Sequence, residues 1–146
     1  MSASWDDTRR RYRLMTAVLD DVAATGDPAV VHRHHVEEAF DDLDALLLAV
    51  HARWSTAVLA RADDVLESDP VDPARALAAA LQELDTALPG ARLLIEGHAA
   101  RPSVRSAAER LRRQIRADLD VDLADLPSVP GSVRCPVFGS WLRFAS

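Results

Sequence analysis

The stretch FDDLDALLLAVHARW, from Phe40 to Trp54, decides the fold, because its apolar residues recur at alternating intervals of three and four. An α-helix turns about every 3.6 residues, so this spacing lines the apolar side chains along one face. The stripe continues on both sides and comprises Val36, Phe40, Leu43, Leu47, Val50, Trp54, Ala57 and Val65. Such a seam is typical of a helical bundle. Arg61 lies on the same stripe, where its guanidinium needs a partner or a route to water.

Before this stretch, the sequence predicts a first helix over residues 5–25. Ser4 and Asp7 resemble a capping box at its start, and Gly26 follows its end. A near-heptad stripe runs along this helix and consists of Trp5, Thr8, Tyr12, Met15, Leu19 and Val22. The stripe predicts that one face of the helix is buried.

A second start signal, Asp27-Pro28, supplies an N-cap and a proline at the first helical position. A helix from there to Ser68 would have about 40 residues and a length of about 60 Å, which is too long for a compact domain of this size. We therefore expect a bend or break between His32 and Asp42.

Beyond the central stretch, the sequence predicts three further helices. An Asp-Pro pair at 72–73 starts a helix whose seam consists of Leu77, Leu81, Leu84 and Leu88. A short helix over 91–100 follows, and Ser103 is expected to cap a last helix over 103–120. Five helices with short connections predict an all-α, antiparallel bundle for residues 1–124.

The last segment, residues 125–146, contains prolines and glycines together with large apolar side chains, namely Val133, Val137, Phe138, Trp141, Leu142 and Phe144. This segment is too apolar to be a free tail. We interpret it as an irregular apolar strap that packs on the bundle or on a second subunit. The alternative is a small hairpin that turns at Gly139-Ser140.

The composition excludes several classes of function. All 17 basic residues are arginine, and the absence of lysine excludes Schiff-base chemistry and a P-loop lysine. The arginine bias is typical of a GC-rich, bacterial genome. A single cysteine excludes an internal disulfide framework, and the first thirty residues lack an apolar signal region, which predicts a cytoplasmic protein. The longest apolar run, Ala45 to Val50, is too short to span a membrane.

Charge is unevenly distributed along the chain. The net charge is +2 for residues 1–13, −10 for residues 14–72 and +2 for residues 73–146. The acidic centre repels phosphate backbones, so nucleic-acid binding is not expected. Two arginine-rich stretches interrupt this pattern, and we interpret them as solvated helix faces: Arg9, Arg10, Arg11 and Arg13, and then Arg105, Arg110, Arg112, Arg113 and Arg116.

Three polar residues, His51, Arg61 and His98, lie on or beside apolar seams. Polar groups that converge in an apolar cavity are typical of a small-molecule site. We therefore predict a ligand pocket lined by these residues and Trp54, with Glu96 as a charge partner. The alternative is that each polar side chain is buried and hydrogen-bonded within the core. No acid and base pair stands at catalytic spacing, so the sequence does not indicate an enzyme.

Residues 32–38 contain a cluster of histidines and glutamates. His34 and Glu38 are four residues apart, so a helix would place them on one face, where they and His35 offer ligands to a divalent metal. A third or fourth ligand from another helix is not predictable. Solvated surface histidines are the simpler interpretation, and the metal site is the alternative.

The segment Arg134-Cys135-Pro136-Val137-Phe138 resembles the haem regulatory motif. The resemblance implies that the Cys135 thiolate ligates haem iron and that the proline directs the chain away from the ring. A structural cysteine within the strap is the other interpretation, in which the protein has no cofactor.

Several stretches resemble TetR-type transcriptional regulators. They are RRRYRLMTAVLDDVAATGD at 9–27, AFDDLDALLLAVHARW at 39–54, PGARLLIE at 89–96 and ARPSVR at 100–105. In that family, a helix like 39–54 follows the helix-turn-helix and leads into the ligand-binding helices. The resemblance implies a helical fold that serves as a dimerisation or ligand-binding module.

The chain departs from this family at the DNA-binding region. Only 13 residues separate Gly26 from Phe40, whereas two helices and a turn need about 20. The lysine that the family has after the phenylalanine is missing, and Asp41, Asp42 and Asp44 are negative where DNA would approach. If the relationship holds, DNA binding has been lost.

These observations predict a non-enzymatic regulatory or interaction module that binds a small apolar ligand or a partner protein. A homodimer is expected, because Trp5, Trp54 and Trp141 offer more apolar surface than a small bundle buries. The alternative is a haem- or metal-binding helical protein that uses Cys135 or the His32–Glu38 cluster.

Overall fold

The computed structural model describes residues 2–127, and it is all-α over that range, as predicted. The α-helices are α1 (Ser2–Thr25), α2 (Leu43–Ser68), α3 (Pro73–Ala87), α4 (Ala91–Gly97) and α5 (Pro102–Leu119). Short 3-10 helices span Pro28–Arg33, Val36–Glu38 and Leu123–Asp125. The predicted strap or hairpin, with Cys135 and Trp141, lies outside the described residues apart from its first three.

Aspartates begin several of these elements, because a carboxylate can accept a hydrogen bond from an N–H of the first turn that lacks a helical partner. The carboxylate oxygens of Asp27, Asp42 and Asp72 accept from Ala29, Ala45 and Arg75 at 2.9, 2.8 and 3.1 Å. The element that begins at Pro28 is a 3-10 helix, and α2 begins only at Leu43. The predicted break between His32 and Asp42 is therefore confirmed.

Two predicted helix starts differ from those observed. Helix α5 begins at Pro102 with Arg101 at its N-cap position, so Ser103 is not the cap, and its hydroxyl is buried without a hydrogen bond among residues 2–127. Proline is favoured at the first helical position because it has no N–H to satisfy. Helix α1 begins before Ser4, whose carbonyl accepts a hydrogen bond from the Thr8 hydroxyl at 2.9 Å.

Helix α2 is the centre of the bundle and packs against α3, α4 and α5. The predicted seam is buried at Val36, Phe40, Leu47, Val50, Trp54 and Val65, with Leu43 and Ala57 partly buried. Helix α3 returns antiparallel to α2. Helix α5 instead begins at the same end as α2, where Arg101 donates to Asp44 at 2.6 Å.

Among the described helices, α2 alone is long and apolar enough to cross a membrane by length and composition. Its most apolar 18-residue window has a mean hydropathy of 1.3, and 33% of that window is buried. The core helix of a soluble protein meets the same criteria. The shortness of the apolar run from Ala45 to Val50 therefore does not by itself exclude a membrane-spanning helix. In this structure the buried face of α2 packs against other helices of the bundle.

Helix α1 buries its side chains in the bundle only along its second half. Val18, Leu19 and Val22 are buried, whereas every residue from Ala3 to Arg13 is exposed. The buried half is fixed by Gly90, which has a φ of 81° and whose backbone lies so close to α1 that a Cβ would overlap the carbonyl oxygen of Leu19. We call residues 3–13 the arm.

Candidate functional site

The predicted ligand residues His51 and Trp54 lie next to each other on the buried face of α2. Their ring centroids are 6.2 Å apart in an edge-to-face arrangement, and His51 is only 4% exposed. The His51 Nδ1 atom shares a hydrogen bond with the Ser55 hydroxyl at 2.9 Å, while its Nε2 atom has no hydrogen-bond partner among residues 2–127. Burial, together with the positive charge of Arg110, lowers the pKa of His51 to about 4. The imidazole is therefore neutral at pH 7.

The other two predicted ligand residues have different neighbours. The Arg61 guanidinium donates to Glu83 at 2.8 Å and links α2 to α3 at the surface. His98 donates from Nδ1 to the carbonyl oxygen of Leu94 at 2.9 Å, and its ring lies 6.2 Å from that of His32. His51 and Trp54 are thus in ring contact, whereas Arg61 is paired with Glu83 and His98 lies beside His32. The binding of a ligand stays a prediction.

The cluster at residues 32–38 is not on an α-helix, so the predicted helical spacing of His34 and Glu38 is wrong. His34 has extended backbone after the first 3-10 helix, and Glu38 belongs to the second. The His34 ring is hydrogen-bonded to Asp21 at 3.1 Å, and His35 is exposed. Within residues 2–127, no group of three or more potential ligands is arranged to hold a metal ion. Cys135, the predicted haem ligand, lies outside this range.

The burial of Glu96 beside Arg92 was missed by sequence reasoning. Glu96 on α4 has a side chain that is 4% exposed, and its Oε1 atom lies 3.9 Å from Nε of Arg92. No hydrogen bond to this oxygen exists within the described part of the chain. Arg92 instead donates to Asp85 at the end of α3. Glu96 was predicted as a charge partner of the ligand pocket, and the four-residue spacing of Arg92 and Glu96 was the signal for the observed pair.

The environment of Glu96 favours its protonated form. Burial raises the pKa of Glu96, the positive charge of Arg92 opposes this shift, and the negative charge of Asp85 adds to it, which gives a pKa of about 7. Burial also raises the pKa of Asp85, against the effect of Arg92. Glu96 can therefore bind and release a proton near neutral pH.

The arginines of α5 are partly neutralised by an aspartate of the same chain. Arg112 donates to both oxygens of Asp122 at 2.8 and 2.9 Å, and Arg116 donates to it at 3.0 Å. These hydrogen bonds, chiefly those from Arg112, lower the pKa of Asp122 to about 2. In the arm, Arg10 pairs with Asp7, and Arg9, Arg10 and Arg13 line an open cleft beside Glu38.

The arm carries the largest aromatic side chains exposed in the described chain. Trp5 is 68% exposed and Tyr12 is 56% exposed. They are seven residues apart, which is about two helical turns, so they lie on one face of α1. The same stripe is buried farther along the helix at Leu19 and Val22.

Two of the last residues of the arm, Arg11 and Tyr12, contact the bundle. Arg11 donates from Nε to the carbonyl oxygen of Ala39 at 3.2 Å, and its guanidinium lies 5.8 Å from the centre of the Phe40 ring. Arg53 of α2 lies 5.7 Å from the centre of the Tyr12 ring. These contacts fix the direction in which the arm leaves the bundle.

Comparison of the chain with protein-family models, with curated proteins and with solved structures found no match. The resemblance to TetR-type regulators stays a prediction. Between Gly26 and Phe40, where that family has its helix-turn-helix, this chain has two 3-10 helices of six and three residues.

Proposed function

We propose that this protein is a non-enzymatic interaction module whose arm docks on a partner protein. One observation carries the proposal: the apolar stripe of α1 is covered by the bundle in its second half and exposed in its first half. Tryptophan, tyrosine and arginine are the residue types most often found at the centre of protein interfaces. All three occur together in the arm.

The rigidity of the arm supports the same proposal. An isolated helix of about ten residues is marginal in water, but the arm extends a helix whose second half is buried. Asp7 and Arg10 add an ion pair at 3.6 Å within the arm. A partner would meet a helix that is already ordered, so little conformational entropy is lost on binding.

A photo-crosslinking experiment tests this function. p-Benzoylphenylalanine in place of Trp5 is expected to form adducts with a protein in the cells that produce this chain. The control carries the same amino acid in place of Asp20, an exposed position of α1 beyond the arm. We expect roughly tenfold more adduct from position 5 than from position 20, because contact area determines capture.

Equal capture at both positions, or none at position 5, would contradict the proposed function. Trp5 is mostly exposed, so its replacement is expected to change the free energy of unfolding by less than about 0.5 kcal/mol. Thermal unfolding of both variants therefore shows whether a loss of capture reflects a loss of fold.

A further inference from the structure

We infer that His32 and His98 together bind a divalent transition-metal ion that prefers imidazole ligands, such as Zn²⁺, with water in the remaining coordination positions. This inference goes beyond the proposed function and does not depend on it, because neither histidine belongs to the arm. The site also differs from the predicted cluster of His34, His35 and Glu38, since one of its two ligands lies at the end of α4.

The two imidazole rings lie close enough to share one ion. Their centroids are 6.2 Å apart, and their planes are inclined at 61°. A Zn²⁺ ion lies about 2.0–2.1 Å from each imidazole nitrogen, so two imidazoles on one tetrahedral ion have ring centres roughly 5 Å apart. The observed separation exceeds this value by about 1 Å. His32 is exposed, so rotation of its side chain can close the gap without moving the backbone.

The hydrogen bond of His98 leaves one ring nitrogen free for a metal ion. Its Nδ1 atom donates to the carbonyl oxygen of Leu94 at 2.9 Å. A carbonyl oxygen can only accept a hydrogen bond, so Nδ1 carries the proton, and the neutral ring has its lone pair on Nε2. Metal-binding histidines commonly donate their other N–H to a backbone carbonyl or a carboxylate, which fixes the tautomer and the orientation of the ring. His98 therefore has the hydrogen bonding of a metal ligand.

The backbone segments that carry the two histidines are in close contact. His32 belongs to the first 3-10 helix, and His98 directly follows α4. These two elements approach so closely that a Cβ at Gly97 would lie 2.3 Å from Cγ of Pro28. Both ligands are thus presented by fixed backbone, and only side chains have to become ordered on binding.

The ligand types determine which ions fit. Imidazole nitrogens favour Zn²⁺, Cu²⁺ and Ni²⁺, whereas Mg²⁺ and Ca²⁺ favour oxygen ligands. Within residues 2–127, no third histidine, cysteine or carboxylate joins the pair, so water completes the coordination. The arginine nearest to His98 in the sequence, Arg101, donates to Asp44, which offsets its charge. We expect a moderate affinity for Zn²⁺, with a dissociation constant of about 10 µM.

Isothermal titration calorimetry of the full chain with Zn²⁺ tests the site. We expect one ion per chain with that affinity. The variants His32→Ala and His98→Ala are each expected to bind roughly a hundredfold more weakly, because each removes one of the two protein ligands. The matched control is His35→Ala, since His35 is an exposed histidine outside the pair, and it is expected to bind like the wild type. The side chain of His32 is exposed, so His32→Ala decides the test even if His98→Ala fails to fold.

NMR of the imidazole nitrogens distinguishes a metal site from a structural ring contact. Zn²⁺ is expected to shift the Nε2 resonance of His98 and to leave Nδ1 protonated, because Nδ1 donates to Leu94. Mg²⁺ at the same concentration is expected to shift neither nitrogen. Binding of Zn²⁺ through Nδ1 of His98 would break this hydrogen bond and would overturn the proposed site.

The Cys135→Ser variant separates this site from a thiolate site. Cys135 lies outside the described residues, and a cysteine thiolate also binds Zn²⁺. We expect the variant to keep the affinity of the wild type. A loss of roughly tenfold or more would assign the ion to the thiolate and would overturn a site made of two imidazoles.

The remaining outcomes are equally direct. Unchanged binding by His32→Ala would overturn the inference, and so would several equivalent ions per wild-type chain. None of these results bears on the arm, so the site can fail while the proposed function stands. Capture of a partner protein from position 5 tests that function separately.

Discussion

The Glu96→Gln variant is expected to be more stable than the wild type at neutral pH and above, and equally stable below about pH 4.5. The folded protein holds Glu96 with a pKa of about 7, compared with 4.5 for the free side chain. Above pH 4.5 the unfolded chain ionises while the folded chain stays protonated, so the wild type loses stability as the pH rises from 4.5 to 7, and the loss levels off above 7. A shift of this size corresponds to about 3 kcal/mol. Glutamine imitates the protonated carboxyl and avoids this loss.

The measurement is the free energy of unfolding in guanidinium chloride for both proteins between about pH 4.5 and about pH 8. The difference between variant and wild type should rise from near zero to about 3 kcal/mol and then level off. Glu67→Gln, at an exposed position of α2, is the matched control for exchanging a carboxylate for an amide. A constant difference between Glu96→Gln and wild type over this range would show that Glu96 ionises as freely in the folded chain as in the unfolded one.

The His51→Gln variant is expected to gain stability relative to the wild type as the pH falls. Burial holds the pKa of His51 at about 4, below the value of 6.5 for the free side chain. Below pH 6.5 the unfolded chain binds a proton that the folded chain does not, so the wild type loses about 3 kcal/mol between pH 6.5 and pH 4. Glutamine does not titrate, so the variant escapes this loss.

Only the pH dependence of the difference is diagnostic, because a buried glutamine has its own cost at every pH. The stability of His51→Gln relative to wild type should rise by about 3 kcal/mol as the pH falls from 6.5 to 4. His35→Gln, at an exposed position, is the control. If both histidine variants gave the same pH profile, burial of His51 would not control its ionisation.

The ionisation of His51 and that of Glu96 have opposite effects on how stability depends on pH. Between pH 4.5 and pH 6.5, rising pH favours folding through His51 and disfavours it through Glu96. Their contributions to the stability of the wild type largely cancel in this interval. Each single variant removes one contribution and reveals the other.

Local signals in the sequence predicted most of the fold. Apolar periodicity located the buried face of α2, and the Asp-Pro pairs located two element starts, because each signal acts through neighbouring residues. The break before α2 was predicted because an uninterrupted helix from Pro28 to Ser68 would be too long for a domain of this size. The prediction that Ser103 caps α5 was wrong, because Pro102 suits the first helical position and lies one residue earlier.

The candidate site was less predictable, since it depends on which elements meet. Periodicity placed His51 in the core, but it did not reveal that Arg61 would pair with Glu83 or that Glu96 would lie buried beside Arg92. The apolar spacing along α1 did not predict that the bundle covers only the second half of this helix. Which part of α1 is buried depends on where α4 crosses it.

The close approach at Gly90 also gives α1 a mechanical role. Helix α1 is held against Gly90 near Leu19, and Trp5 lies about 21 Å farther along the helix, beyond the contacts of Arg11 and Tyr12. A tilt of about 5° about Leu19 would move the indole by about 2 Å and would shift Arg11 by about 1 Å against Ala39. Glu96 belongs to α4, which begins directly after Gly90. A small displacement of α4 beside that carboxyl would therefore move Trp5 farther than it moves Leu19.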